Sequence, residues 1–240
     1  MKKEFYLSKK DKKLALLIDP DWALKKDWLF DVLASVNNGM IDLILVGGSL
    51  VINIGKIEET ILTIKKLTDI PVYLFPGHPI QLNKHADGIL LLSLISGRNP
   101  EFLIGQHVIS APLIKSYNLN VLPTGYMIIG EKATSVHYMS QTHSLPSNKP
   151  DIALATAMAG EMLGLKCIYL EGGSGADKNP PIEIIRLLSE QISIPLIVGG
   201  GINNPKKIQV AFDNGANMVV IGTAIEKMPA LLEQDLKTLT

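Results

Sequence analysis

Short runs of uninterrupted apolar residues recur along the chain, and between them the apolar positions fall at helical spacing. The runs cover 14–18 (LALLI), 43–46 (LILV), 72–75 (VYLF), 89–92 (ILLL), 120–123, 166–171 (KCIYLE), 195–199 (PLIVG) and 217–221 (NMVVI). A strand buried on both faces has no polar side to alternate with, so continuous apolarity predicts parallel strands covered by helices. Between the runs, a helix is predicted near 58–68, with Ile57, Ile61, Ile64 and Leu67 at the 3.6-residue period. Further helices are predicted at 22–38, with Asp21 as N-cap, and at 100–117, 151–164, 181–191 and 205–214, with a closing helix from about 224.

Two connections break the rhythm. Only 76–87 separates the third run from the fourth, and Pro76, Gly77 and Pro79 rule out a full-length helix there. The fifth strand is expected to pause at 123–125 before continuing through 126–129, and 130–149 reads as a long polar loop holding His137 and His143. Loops of that length in compact domains often form lids or binding segments.

Eight such units in 240 residues are the arithmetic of a single (β/α)8 TIM barrel domain spanning 1–240, with the third helix shortened or replaced by an irregular segment. An open doubly wound sheet should carry GxGxxG after its first strand, whereas here that strand ends in Asp19-Pro20-Asp21.

Composition narrows the function classes. The 23 basic residues balance 23 acidic ones, which gives no electrostatic case for nucleic acid. The single cysteine, Cys167, lies inside a predicted strand and reads as a small buried hydrophobe, so the expected compartment is the cytoplasm. No signal peptide or membrane-spanning segment is expected, leaving at most peripheral membrane contact. HExxH, CxxC and GxSxG motifs are absent, which disfavours zinc hydrolase and esterase chemistry.

In a barrel the strand C-termini converge on the active face. Here they offer Asp19, Gly47-Gly48-Ser49, Pro76-Gly77-His78, Ser93, Thr124, Glu171, Gly199-Gly200-Gly201 and Gly222-Thr223. Glycine-rich turns after strands six, seven and eight, leading into helix starts, predict one shared phosphate cradle. Asp19 and Ser49 would supply hard oxygen ligands for Mg2+, although Asp19 could equally serve as a helix cap. Glu171 stands either to accept a proton from a substrate hydroxyl or to bind the amides of its own turn.

The motifs LLIDPD (16–21), ILVGGS (44–49), LFPGHP (74–79), GQHV (105–108), YLEGGSGA (169–176), VGGGI (198–202) and VIGTAI (220–225) run through nearly the whole chain. Together they resemble the geranylgeranylglyceryl phosphate synthase family of TIM-barrel prenyltransferases, in its longer archaeal and bacterial branch. The short branch has a lysine where Leu17 stands. The resemblance implies transfer of a polyprenyl group, geranylgeranyl in the family's name, from its diphosphate to the C3 hydroxyl of sn-glycerol 1-phosphate. It implies Mg2+ at Asp19 and Ser49. It implies glycerol-phosphate contacts from Tyr169, Leu170, Glu171, Gly172, Gly173, Ser174 and Gly175, from Gly200 and Gly201, and from Gly222 and Thr223. It also implies an acid–base role for Glu171 and a homo-oligomeric assembly, dimer or hexamer. The competing readings are another phosphate-binding barrel enzyme, of sugar-phosphate isomerase or aldolase type, and a non-catalytic phosphometabolite-binding barrel.

Overall fold

The computed structural model describes residues 2–23, 28–36, 40–48, 53–131, 134–173, 179–222 and 224–225. Eight parallel strands close into a barrel in sequence order. They are β1 (Lys13–Ile18), β2 (Leu43–Val46), β3 (Val72–Leu74), β4 (Gly88–Leu94), β5 (Asn120–Ile128), β6 (Cys167–Glu171), β7 (Leu196–Gly199) and β8 (Met218–Ile221). Closure comes from β1 pairing with β8, with Ala15 opposite Val220.

Side chains one residue apart point to opposite faces of a strand, and the core divides accordingly. Ala15, Leu43, Leu45, Tyr73, Leu90, Tyr126, Cys167, Tyr169, Ile197 and Val220 fill the barrel interior. Leu16, Ile44, Val72, Ile89, Ile168, Leu170, Val198 and Val219 face outward into the helix layer. Both sets must be apolar, which is why the strands read as continuous runs.

The helix layer comprises α1 (Pro20–Ala23), α2 (Trp28–Val36), α3 (Ile54–Leu67), α4 (Gln106–Ser116), α5 (Ser135–Ser140), α6 (Pro150–Met162), α7 (Ile182–Gln191) and α8 (Pro205–Asp213). Several differ from expectation. The helix expected at 22–38 appears as α1 and α2, with 24–27 outside the described residues. Its cap is Asp19 rather than Asp21. Proline takes the first helical position, so the residue before it becomes the cap: the Trp22 and Ala23 N–H groups donate to the Asp19 carbonyl, and the Asp21 N–H donates to Asp19 Oδ1. Helix α3 starts four residues earlier than predicted, because Asn53 caps it through Gly55 N–H. A π-helical turn, Glu101–Gly105, precedes α4.

Strand β5 does not pause at 123–125. Pro123 stays in register opposite Leu91, and Gly125 is a close-approach point, since a Cβ there would lie 2.8 Å from the Ile168 and Ile95 Cδ1 atoms. Thr124, expected at a strand tip, is therefore buried in mid-strand. The 130–149 loop contains α5.

The connection at 76–87 carries one 3-10 turn, Pro79–Gln81, in place of a helix. Gln81 ties it to the β2 tip, accepting from Gly77 N–H and donating to the Gly48 carbonyl. The chain then descends to Asp87, a fully buried carboxylate. Asp87 accepts from Val72 N–H, Lys3 N–H and Lys65 Nζ at 2.5 Å. Below it, the N-terminal segment crosses the bottom of the barrel: Phe5 and Leu7 pack on the interior cluster, and Phe5 N–H donates to the Tyr73 hydroxyl.

Removing one member of a buried, hydrogen-bonded ion pair strands its partners. Asp87→Ala is expected to cost about 3 kcal/mol of stability, measured by urea unfolding; a loss under about 1 kcal/mol would mean that Asp87 is not the tie at the base of β3 and β4.

Candidate active site

The polar half of the barrel mouth is built on β6 and β7. Tyr169 and Glu171, two apart on β6, both point inward, while Leu170 faces the helix layer and can offer a ligand only its main chain. The Tyr169 hydroxyl donates to the Glu171 carboxylate, and the Gly173 N–H donates to Glu171 Oε1 at 2.8 Å. Gly172 N–H is held by the Gly199 carbonyl at 3.0 Å. The two amides at the start of the expected phosphate loop are thus engaged within the protein.

Two glycines at the end of β7 make this arrangement fit. A Cβ on Gly199 would stand 2.2 Å from the Tyr169 hydroxyl. Gly200 has φ +81°, a left-handed conformation open to glycine at little cost, and a Cβ there would meet Glu171 Oε1 at 2.3 Å and the Gly173 amide at 2.8 Å. Gly201, with φ +70°, accepts from Lys207 Nζ through its carbonyl at 2.8 Å. Asn204 caps α8 by accepting from Lys207 N–H. The β7 turn therefore has a cation beside it and a helix N-terminus behind it. Both favour an anion.

Burial leaves Glu171 only 8% exposed and pushes its carboxyl up to about 7, against the pull of the Gly173 amide and the Tyr169 hydroxyl. Tyr126 and Tyr169 are both pushed well above the usual phenol range, first by burial and then by the Glu171 charge. Their rings meet edge to face at 5.2 Å, and Phe75 packs on both. A carboxyl that titrates near neutrality inside an aromatic pocket can act as a proton acceptor at physiological pH.

Across the mouth, Asp19 is half-buried at the β1 tip, and burial raises its pKa above the ordinary value. Its Oδ2 lies 3.0 Å from where a Cβ on Gly48 would stand, beside the β2 tip. Lys56 pairs with the neighbouring Asp21 at 2.9 Å. Among the described residues no group of three His, Cys, Asp or Glu side chains could hold a metal ion. Among the described residues nothing donates to Asp19 Oδ2, and a carboxylate edge of that kind would fit Mg2+, which takes one or two protein oxygens and fills its remaining positions from water and substrate.

Gly222 lies over Leu17, 3.5 Å from its Cβ at the closest approach of a would-be side chain. Ser49, Ser174, Gly175 and Thr223 lie outside the described residues. The mouth thus brings together Tyr169, Glu171, Gly172, Gly173, Gly199, Gly200 and Gly201 on adjacent strands, with Asp19 and Gly222 at the tips of β1 and β8.

A family model described as the PcrB family matches residues 8–240. The chain belongs to this family. Among its PcrB relatives, a geranylgeranylglyceryl phosphate synthase of Chitinophaga pinensis is 47% identical over 93% of this chain and 88% of the relative. One of the same name from Thermofilum pendens is 41% identical over 79% of this chain and 74% of the relative. A crystal structure of (S)-3-O-geranylgeranylglyceryl phosphate synthase from Thermoplasma acidophilum, in complex with substrate sn-glycerol-1-phosphate, superposes with TM-score 0.89 at 28% identity. It covers 96% of this chain and 94% of that one. Thiamine phosphate pyrophosphorylase of Pyrococcus furiosus, at 16% identity and TM-score 0.58, shares the fold alone.

Two contributors to this PcrB site escape the sequence motifs, Tyr126 and Lys207, and Phe75 lies within LFPGHP without being marked as a site residue. The two-residue period along an unbroken β5 would have placed Tyr126 inside the barrel. Lys207 shows no motif, and only its return to the Gly201 carbonyl reveals it.

The raised pKa of Glu171 links to folding. The protonated carboxyl suits the buried site, so its contribution is fully present below about pH 4.5 and is lost as pH rises to about 7. The stability of Glu171→Gln relative to the native protein should therefore climb across that window and level off above it. Urea melts at stepped pH check this, and a pH-independent difference would refute the burial argument.

Proposed function

We propose that this protein is a prenyltransferase that joins a polyprenyl diphosphate, geranylgeranyl diphosphate by the relatives' name, to the C3 hydroxyl of sn-glycerol 1-phosphate. The observation that carries the reading is Glu171: a buried carboxyl poised near neutrality, beside the β7 glycine turn. The 47% identity to a named geranylgeranylglyceryl phosphate synthase supports the same reaction, as does the sn-glycerol-1-phosphate complex of the Thermoplasma relative.

Gly200 and Gly201, with Lys207 behind them, bind the phosphate of glycerol phosphate. Gly172 and Gly173 form the adjoining edge, completed by Ser174, Gly175, Gly222 and Thr223. Glu171 then faces the glycerol end, where its ionised form accepts a hydrogen bond from the C3 hydroxyl and orients its oxygen, with Tyr169 fixing the carboxylate. The C3 oxygen bonds to the allylic C1, the C1–O bond to diphosphate breaks with its electron pair leaving on diphosphate, and the hydroxyl proton passes to Glu171. Positioning two bound reactants in this way is worth several kcal/mol of the barrel's rate enhancement.

Mg2+ belongs to the proposal, with Asp19 and Ser49 as its protein ligands. When bound, it supplies the charge neutralisation that lets an allylic diphosphate depart.

The prenyl chain lies in the opposite half of the mouth, where Phe75, Leu92, Phe102 and Val136 pack on the barrel-interior cluster that includes Tyr126. The helix-free connection at 76–87 opens the wall there.

A homo-oligomer is also proposed, supported by exposed Val108, Ile109 and Leu113 on α4, Ile152 and Met162 on α6, and Leu163 at its C-cap. A cleft of about 550 Å³ beside α6, lined by Ile95, Leu103, Ala155 and Gly160, continues that lateral surface. A cytoplasmic location completes the reading, supported by a lone, buried Cys167 whose thiol is pushed to about 12.

Incubating the protein with sn-glycerol 1-phosphate, Mg2+ and prenyl diphosphates of graded length tests the activity directly. Glu171→Gln should lower kcat by about 10²-fold with glycerol-phosphate binding preserved, and native kcat/KM should rise with pH through about 7. Undiminished turnover in that variant would remove Glu171 from the chemistry. Asp19→Ala should raise the Mg2+ concentration required for half-maximal rate by at least about tenfold, and an unchanged requirement would place the metal elsewhere.

A further inference from the structure

A chain of charged contacts runs from the tip of β1 to the start of α3. The Asp21 N–H donates to Asp19 Oδ1 at 2.8 Å, and the Asp21 carboxylate accepts from Lys56 Nζ at 2.9 Å. Lys56 stands in the first turn of α3, a helix that packs on α1 and is capped by Asn53. Burial raises the Asp19 pKa, and the Lys56 charge is near enough to act against it.

The position of Lys56 is unfavourable for a purely structural residue. A helix N-terminus carries partial positive charge, so a cation in the first turn is disfavoured, and α3 has no acidic residue there to offset it. Lys65 and Lys66 occupy the last turn of the same helix, where the dipole favours them. The pair with Asp21, its side chains 34% and 30% exposed, contributes little to stability in such surroundings. Among the described residues Lys56 Nζ hydrogen-bonds to Asp21 alone, which leaves two of the three donors of an ammonium for a ligand.

The other cations near the strand tips are committed elsewhere. Lys207 serves the Gly201 carbonyl beside the β7 turn, and Arg98 Nη1 serves the Ile95 and Gly97 carbonyls. Among the described basic residues, Lys56 is the one whose charge acts on Asp19. A diphosphate carries more negative charge than one Mg2+ cancels, and the Asp19 carboxylate adds to the excess. A lysine beside that carboxylate supplies the missing positive charge.

We propose that Lys56 is a contact for the diphosphate of the prenyl donor, kept in place by Asp21 until the donor arrives. The inference rests on the proposed prenyl transfer. As the C1–O bond breaks, its electron pair stays on the diphosphate, and the Lys56 ammonium stabilises that charge while keeping its own proton. The polar end of the donor then sits at the β1 tip and the start of α3, across the mouth from the glycine turn of β7.

The test is calorimetric titration of the full chain with inorganic diphosphate in the presence of Mg2+, alongside steady-state kinetics. Lys56→Met keeps the apolar stem and removes the charge. It should weaken diphosphate binding at least about tenfold and raise the donor KM by a similar factor, with sn-glycerol 1-phosphate bound as by the native protein. Lys56→Arg should recover most of the diphosphate affinity. Asp21→Asn breaks the ion pair yet keeps the N–H that holds Asp19, so it should bind diphosphate at least as tightly as the native chain, because it releases Lys56 and removes a like charge. A merely structural pair predicts equal damage from either side. Three results would each overturn the inference: native-like diphosphate binding by Lys56→Met, a loss in Asp21→Asn as large as in Lys56→Met, or a parallel loss of glycerol-phosphate binding. Should Lys56→Met fold poorly, Asp21→Asn decides alone, since weakened diphosphate binding there would make the pair itself the requirement. Native protein that binds diphosphate through Lys56 but transfers no prenyl group to glycerol phosphate would count against the proposed reaction and leave the diphosphate site standing; a prenyltransferase indifferent to Lys56 would do the reverse.

Discussion

A carboxylate inside a barrel mouth must be offered something in place of water, and here it is offered two hydrogen bonds and a space that only glycine leaves. The Tyr169 hydroxyl and the Gly173 amide satisfy Glu171, and the missing side chain of Gly200 vacates the volume the carboxylate occupies. The site depends on that fit. With a side chain at Gly200, Oε1 would be driven out of the pocket, and with it the reason for the raised pKa. The aromatic rings of Phe75, Tyr126 and Tyr169 then serve two ends at once. They dehydrate the carboxylate, and they form the boundary between the polar and apolar halves of the mouth.

That boundary organises the chemistry. Strands β6 and β7, with the Gly222 turn beyond β8, present glycine turns and main-chain groups; β3 to β5 present phenylalanine, leucine and tyrosine. An amphiphilic donor and a small phosphorylated acceptor can therefore enter from opposite sides and meet at Glu171. The division follows from topology, because neighbouring strands in the chain are neighbours in the barrel and a local bias in sequence becomes a sector of the active face.

Much of this was legible in the chain. Doubly buried strands cannot hide in a sequence, and the runs at 43–46 and 195–199 locate β2 and β7 almost to the residue. Proline and glycine at 76–79 excluded a helix that is indeed absent. The errors arose where tertiary contacts override local signals. Pro123 and Gly125 look like a break, yet Pro123 needs no N–H where it stands and Gly125 makes room for Ile95 and Ile168, so β5 runs on. Asp21 looked like the cap until Pro20 took the first helical position and passed the role to Asp19. The engagement of the Gly172 and Gly173 amides within the turn has no sequence signature, since it depends on how β6 and β7 face each other.

The base of the barrel carries a consequence for biosynthesis. The N-terminal segment is lashed to the last strands of the chain: the Asn217 side chain donates to the Lys9 carbonyl across 208 positions, and β1 has β8 as its second neighbour. A growing polypeptide emerges from the ribosome with those partners still unmade. Its first strand must wait, one edge bare, until β8 has been translated. Closure of the ring is therefore an event that follows synthesis, and until then the exposed edges of β1 and of the newest strand are what a chaperone would find to hold.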